Sequence, residues 1–485
     1  MTRSERNVKG SILIMAVVFS FVAILLGVSF LSFAVNLHHR VSEEIRWKKA
    51  TYDAYTGFFE GFADFISGRR ERGALREFYG DENNKEYIGY RFEERGSHGV
   101  EYGYANDITI TGFGMSEYGD GEKYREISGI YNYETYADYL YITDKERDAS
   151  RHDIIRFWTP DTLDGKVHSN DTIHIQQSAD EPRFIKRVTT TRNYIEYPNN
   201  DADFDEGWGF RSAIEFPDVA QELRNNAGLV LGTAGLPDDS LIHMVLNGNT
   251  IRWRKCGLFE VNGVDSLRCF PTTIAASALE YIPTSGVVFV YGKLWLSAAR
   301  GRGDRMDGEF PERIANINSP FVSEGFEGML TIGCSDTMII TDLLVYKHAR
   351  TNFSVPASMD SCPDVLGLVS ERFIMVHRQC PTVMYINAAM AAIRGSISVQ
   401  DIYWYTAPRW LNPKQSLQIY GSLAQRNRGI VHTTYPCNSD QCERGFDEKD
   451  YHYDTRLQEN PPPFFMPALD NSIIFMEGYW DGGGG

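Results

Sequence analysis

Charge of either sign is missing from Ser11 to Leu37, a run of 27 residues without Asp, Glu, Lys or Arg. Proline is missing before Pro160, and glycine is missing between Gly27 and Gly57. No helix breaker therefore interrupts most of the first sixty residues. Cysteine is missing from the first half, since the seven are Cys256, Cys269, Cys334, Cys362, Cys380, Cys437 and Cys442. None forms C-x-x-C, which leaves no zinc-ribbon or thioredoxin-type signature. The sequence-local pairings are Cys256–Cys269, Cys362–Cys380 and Cys437–Cys442, with Cys334 left over. Spacing does not fix connectivity, and buried free thiols are the alternative. Positive charge is in deficit, with 48 Lys and Arg against 65 Asp and Glu, a net −17. No basic stripe offsets that field, so nucleic acid is not an expected partner. G-x-S-x-G, H-E-x-x-H and a phosphate loop are all absent, so no known catalytic motif points to an enzyme.

What is present begins with the uncharged run. At about 1.5 Å per residue it spans about 40 Å, more than the ~30 Å of a bilayer's hydrocarbon core. A secretory signal has a shorter apolar stretch, about 7–15 residues. Arg3, Arg6 and Lys9 precede the run, which predicts a cytoplasmic N-terminus and a single-pass anchor with the bulk outside. Beyond the membrane the helix is expected to continue. Ile45, Tyr52, Tyr55, Phe59, Phe62 and Ile66 form the apolar stripe predicted to pack onto the chain's own β domain, with neighbouring helices in a bundle as the alternative.

The rest reads as β structure. Aromatics make up 13%, and short apolar runs alternate with Gly and Asp. Ile88–Phe92, Asp107–Thr111, Tyr124–Ile130 and Tyr136–Ile142 predict an antiparallel meander. Gly286–Leu296 reads as strand, turn, strand. Met329–Gly333, Met338–Tyr346, Leu366–Val369, Phe373–Val376, Val383–Ile386, Gly395–Val399 and Leu417–Leu423 are further short strands. Stacked short strands of this kind suggest a parallel β-helix or related solenoid. A β-sandwich is the alternative.

The junction Lys9-Gly10-Ser11-Ile12-Leu13-Ile14-Met15 resembles the prepilin peptidase site of type IV pilins and pseudopilins. That resemblance implies cleavage after Gly10 and a mature, methylated Ser11. It also implies prepilin peptidase, the inner membrane and other pilin-like subunits as partners. Most pilins carry Glu at the fifth mature position, where this chain has Met15. PilX-type minor pilins and K-type pseudopilins tend to lack that Glu, and Trp47 to Phe62 also resembles the PilX-type helix continuation. Residues 150–467 resemble an uncharacterised β-rich domain found fused to PilX-like N-termini. The matching stretches are Leu163–Asp171, Thr331–Tyr346, Val365–Glu371, Gly421–Gly429 and Lys449–Leu457 to Pro461–Phe465.

These readings give an α+β, mainly β chain. The expected order is a leader (1–10), a transmembrane helix (11–37), a helix continuation with a small pilin-like antiparallel sheet (38–146), a β-solenoid-like domain (147–470) and a flexible tail (471–485). The expected function is a non-enzymatic minor pilin or pseudopilin-like subunit of a type IV pilus or type II secretion-like filament. An anchored polysaccharide-processing enzyme and an adhesin are the alternatives.

His168, Asn170 and Asp171 form the candidate ligand-binding set, with His174 close in sequence. The stronger competing reading has Asn170 and Asp171 bonding their own backbone in a turn. Asp201, Asp203 and Asp205, followed by Glu206, alternate as calcium ligands do. However, Gly207 stands at the seventh position and Ser212 at the twelfth, which departs from an EF-hand. A solvated acidic loop is preferred, and no cofactor is expected beyond this calcium option. Arg302-Gly303-Asp304 is an Arg-Gly-Asp tripeptide in a Gly-rich, charged loop; three residues recur by chance, so receptor binding is not the preferred reading. The Asp447–Asp450 run with Tyr451, Tyr453 and Arg456 reads as a surface network before a sugar-binding face. Asp336, Asp342, Asp360 and Asp401 read as turn-bonding residues before catalytic carboxylates.

Overall fold

The computed structural model describes residues 4–66, 76–81, 86–95, 107–117, 122–132, 134–157, 161–176, 181–196, 202–233, 240–261, 264–270, 277–298, 325–349, 361–378, 380–402, 414–437, 440–458, 460–468 and 480–481. The chain is mainly β with one long N-terminal helix. It divides into two compact units, 1–95 with 108–131 and 475–485, and 96–107 with 132–474.

The helix of the first unit runs unbroken over Ser4–Ile66, about 95 Å at the α-helical rise. Its side chains from Ser11 to Leu37 are exposed throughout. This part is long and apolar enough to cross a membrane. The second half carries a sheet ordered Arg76–Asp81, Glu86–Arg95, Asp107–Glu117, Glu122–Asn132 and Trp480–Asp481. The first two strands pair antiparallel, as do the last two.

The buried helix face is Ala50, Ala54, Gly57, Phe58, Gly61 and Phe62. That differs from the expected stripe. Ile45 is 61% exposed, Tyr52 70% and Phe59 56%. Large aromatics attract attention in a sequence, but close approach selects small residues. A Cβ on Gly112 would collide with the backbone of Phe58 and Ala54. One on Gly114 would lie 2.5 Å from Ala50 O, and one on Gly57 would meet Gly89 O. Glycines on both helix and sheet let the two backbones touch.

The second unit is built from parallel ladders. The first links, in spatial order, Leu229–Gly232, Val287–Tyr291, Met329–Cys334, Val365–Ser370, Val383–Ala392, Lys414–Asn427, Tyr141–Lys145, Val167–Ser169, Val188–Thr190 and Trp208–Phe210. The second links Ser240–Asn247, Lys293–Ala298, Met338–Leu344, Ile374–Val376 and Ile397–Val399. A third pairs Val383–Ala392, Lys414–Asn427, Asp440–Tyr453, Thr162–Asp164, Arg183–Phe184 and Asp203–Phe204. Gly292, at φ +126°, turns the chain from the first ladder into the second; a side chain is strained there.

Equivalent residues stack in register. Ile386, Ile419, Tyr451, Leu163, Phe184 and Phe204 align down the third ladder, and Leu344 of the second pairs with Ile386. Val288, Ile332, Leu368, Met390, Leu423, Tyr141, Val167 and Val188 align down the first. Nearly all of these are buried, and together they form the core. Each strand buries apolar side chains against its neighbours, which is why near-continuous apolar runs appear in the sequence.

Chain order and ladder order differ. Trp208–Phe210 ends the first ladder at one side, and Leu229–Gly232 begins it at the other. Residues 211–228 join them by running back along the ladder, about 43 Å at strand spacing and within reach of an extended chain. Their partners descend the ladder in turn. Asn170 brackets Ile214, Tyr136 donates to Glu215 O at 2.6 Å, Arg426 donates to Phe216 O at 2.6 Å, and Glu371 accepts from Ala220 N at 3.0 Å. Arg224 closes the strap on Glu371 at 2.6 Å.

Three expectations are revised. Tyr136–Ile142 is not a meander strand. Tyr136–Asp138 is a short 3-10 helix, and Tyr141–Lys145 belongs to the parallel ladders, so the second unit begins before 147. Within the tail assigned to 471–485, Trp480–Asp481 pairs with Ser128 and Ile127. Cys256 and Cys269 form a disulfide, but Cys362 and Cys380 are buried free thiols, as is Cys334. The side chains of Cys437 and Cys442 lie outside the described residues.

Candidate functional site

His168 is wholly buried. Its ring bonds Thr189 Oγ1 through Nδ1 and Asn170 Oδ1 through Nε2, both at 2.9 Å. The Asn170 amide donates to Ile214 O at 2.7 Å and Asp144 Oδ1 at 3.0 Å, and Oδ1 accepts from Ile214 N at 2.9 Å. Asp171 accepts from Thr172 N at 2.8 Å and lies 3.8 Å from Arg192. His174 is held by Glu196. These groups meet one another and the strap, so the polar cluster is a joint in the fold.

Asp201 lies outside the described residues. Asp205 pairs with Arg183 at 2.7 Å, and Glu206 with Lys186 at 2.8 Å; Asp203 is exposed on the same turn. The acidic loop thus faces cations of the neighbouring segment. Arg302, Gly303, Asp304 and Asp360 are outside the described residues as well. Asp336 meets Arg372 at 3.3 Å, Asp401 meets Arg378 at 2.8 Å, and Asp342 accepts from Leu343 N. In the Asp447–Arg456 region, Lys449 pairs with Asp161, His452 with Asp450, and Arg456 with Asp454.

Sequence reasoning missed a cavity of ≈ 360 Å³ inside the parallel ladders. Its inner wall is Ile340, Val376 and Ile397, on successive strands of the second ladder, with Ile386 and Met390 of Val383–Ala392. Its outer part carries Tyr141, Asp161, Arg428, Lys449 and Tyr451, and Arg156, Gln176 and Thr434 lie at the mouth. Four strands and the residues beside them supply the polar part. Tyr141–Lys145 and Lys414–Asn427 pair, Asp440–Tyr453 lies beside the latter, and Thr162–Asp164 beside that.

The charges inside are balanced. Arg428 Nη1 donates to Glu146 Oε2 at 2.9 Å, and its guanidinium lies 3.5 Å from the Phe157 ring centroid. Burial pulls its pKa down, but Glu146 and Asp161 hold it above the ordinary value. Lys449 Nζ sits 2.8 Å from Asp161 Oδ1. Gln425 donates to Tyr141 OH at 2.7 Å and accepts from Ile397 N and Gly429 N. Burial pushes the Tyr141 and Tyr451 phenols well above their usual range, so both stay neutral donors. The lining carboxylate faces a cation, which suits binding more than proton transfer. Arg156 is the exception among these cations, because no described residue pairs with it.

Leu423, Gln425, Arg428, Gly429, Lys449, Tyr451 and Leu163 come to this cavity from distant parts of the chain. Their chemistry is invisible until the ladders bring them together. No family model matches the chain, and neither does any curated protein or solved structure.

Proposed function

We propose that this chain is a membrane-anchored, non-enzymatic pilin-like subunit. In this reading Gly10 ends a leader removed by prepilin peptidase, and Ser11 begins the mature chain. Residues 11–37 cross the inner membrane with the N-terminus cytoplasmic. The sheet of the first unit and the whole second unit lie outside, in a minor position of a type IV pilus or type II secretion-like filament. The second unit is a β-solenoid. Three in-register parallel ladders around an apolar interior support that description. A β-sandwich would require antiparallel sheets.

One observation carries the functional reading. A single helix passes from a wholly exposed apolar span into a stretch whose small-residue face supports an antiparallel sheet. An anchor that only tethered a domain would need no such rigid continuation.

The test is N-terminal sequencing of the protein recovered from membranes of cells containing prepilin peptidase. The expected first residue is Ser11. Replacing Gly10 by Leu should leave the longer, leader-bearing form. Recovery of the intact N-terminus from unaltered cells, with no change in mobility for Gly10→Leu, overturns the reading.

A further inference from the structure

We propose that the cavity of the second unit binds one linear, medium-chain carboxylate, a single acyl chain with a free acid head. The inference goes beyond the filament reading and does not depend on it.

Shape is the first argument. The lining strands are successive members of the ladders, from the Ile386 strand through those of Ile419 and Tyr451 to that of Leu163. Ile340 lies on a further strand, paired to the Ile386 strand through Leu344. Four strand spacings make the space about 19 Å long. A volume of ≈ 360 Å³ spread over that length is a slot. One extended chain of about ten to twelve carbons fills it.

Polarity is the second. Ile340, Val376, Ile386, Met390 and Ile397 offer no side-chain hydrogen bond. An ordered water needs two to four polar partners, so that end is hostile to water and open to hydrocarbon. Filling it returns the dispersion contacts that an empty space forfeits.

Charge is the third. Lys449 is balanced by Asp161 and Arg428 by Glu146, so an uncharged ligand would leave the mouth with the net charge of Arg156. A carboxylate at Arg156 neutralises it and gains charge-assisted hydrogen bonds. A sugar lacks the long apolar body that the inner wall of Ile340, Val376, Ile386, Met390 and Ile397 would accept.

The test uses the full chain in lipid nanodiscs. The probe is dodecanoic acid bearing a terminal diazirine, photolysed and mapped by peptide mass spectrometry. The exposed helix span serves as an internal control, because bilayer-dissolved probe labels it regardless of the cavity. Label is expected on peptides holding Val376, Met390 and Ile397. Excess unlabelled dodecanoate should suppress it at least tenfold, and dodecanol should not. Val376→Phe, which fills the slot, should abolish cavity labelling and leave helix labelling unchanged. Arg156→Glu, a half-exposed change that spares the core, should lower cavity labelling about tenfold. Helix labelling without cavity labelling overturns the proposal, as does cavity labelling that survives Val376→Phe in a folded protein. Cavity labelling indifferent to both Arg156→Glu and the choice of acid or alcohol overturns the carboxylate assignment.

Discussion

Arg428 and Glu146 stand 282 positions apart in the chain, and Nη1 of one donates to Oε2 of the other at 2.9 Å. Both side chains are buried, at 7% and 1% exposure. Ser169 Oγ also donates to Glu146, at 2.8 Å. This contact locks the early strand Tyr141–Lys145 onto the late strand Lys414–Asn427. A buried ion pair is costly to break from one side, because the survivor keeps its desolvation penalty without its partner. Arg428→Met should therefore lower stability by about 3–5 kcal/mol. Arg428→Met combined with Glu146→Gln should lose less than the single change. Denaturant midpoints followed by tryptophan fluorescence measure both, and additive losses would contradict the coupling.

The helix and its sheet in the first unit meet through glycine. Gly112→Ala places a Cβ against the backbone of Phe58 and Ala54, which cannot swing aside as a side chain can. Overpacking of this kind costs about 1–3 kcal/mol. Gly27→Ala is the control, since nothing lies within 4 Å of its added Cβ. Proteolysis of the sheet should accelerate in Gly112→Ala and stay unchanged in Gly27→Ala.

The buried thiols predict a specific redox pattern. Burial pushes Cys334 up to about 12 and Cys362 up to about 11, so neither forms thiolate at neutral pH. Iodoacetamide should spare both in the folded chain and modify both after unfolding. Mass spectrometry should recover the Cys256–Cys269 peptide as a disulfide in both cases. Rapid alkylation of Cys362 without unfolding would show that its surroundings are open.

Asp138 carries a pH signature. Burial lifts its carboxyl to about 6, opposed by the hydrogen bond from Thr135 N, against an ordinary value near ~3.9. A carboxyl raised on folding stabilises while it is protonated. Its contribution is therefore complete below about pH 4 and is lost as pH rises through about 6. Two units correspond to about 3 kcal/mol. Asp138→Asn keeps an acceptor for Thr135 N and removes the titration. The stability difference between the two proteins should change across pH 4–7 and stay level above it. A difference that is level throughout rejects the raised value.

The helix and many of the strands were legible because each announces itself locally. An uncharged 27-residue run is long and apolar enough to cross a membrane, and short apolar runs ended by Gly or Asp read as strands. The register of those strands was not legible. Tyr141 pairs with Leu423, and no local pattern encodes a partner so far along the chain. The helix face was misread in part for a related reason. Phe62 of the expected stripe is buried, but Ala50, Ala54, Gly57 and Gly61 on the same side carry little hydrophobic signal and matter through what they lack. The cavity was hidden because its polar residues come from segments that meet only once the ladders close.

His168, Asn170 and Asp171 looked like a binding site because polar residues cluster there in a strand-rich segment. The strap accounts for them. Asn170 presents its amide to Ile214 as a neighbouring strand would, donating to the carbonyl and accepting from the N–H. An isosteric change separates that role from packing. Asn170→Asp keeps shape and the acceptor but loses the donor, and it sets a carboxylate against Ile214 O and Asp144 Oδ1. Partly buried acceptors set against one another cost about 1–3 kcal/mol per unsatisfied group. Asn170→Ala should cost a similar amount by orphaning the Ile214 N–H and carbonyl. Hydrogen exchange gives the sharper readout, because the strap's amides from Ile214 to Arg224 should lose protection before those of the ladders. If they exchange together with the ladder amides, the strap is not held at Asn170.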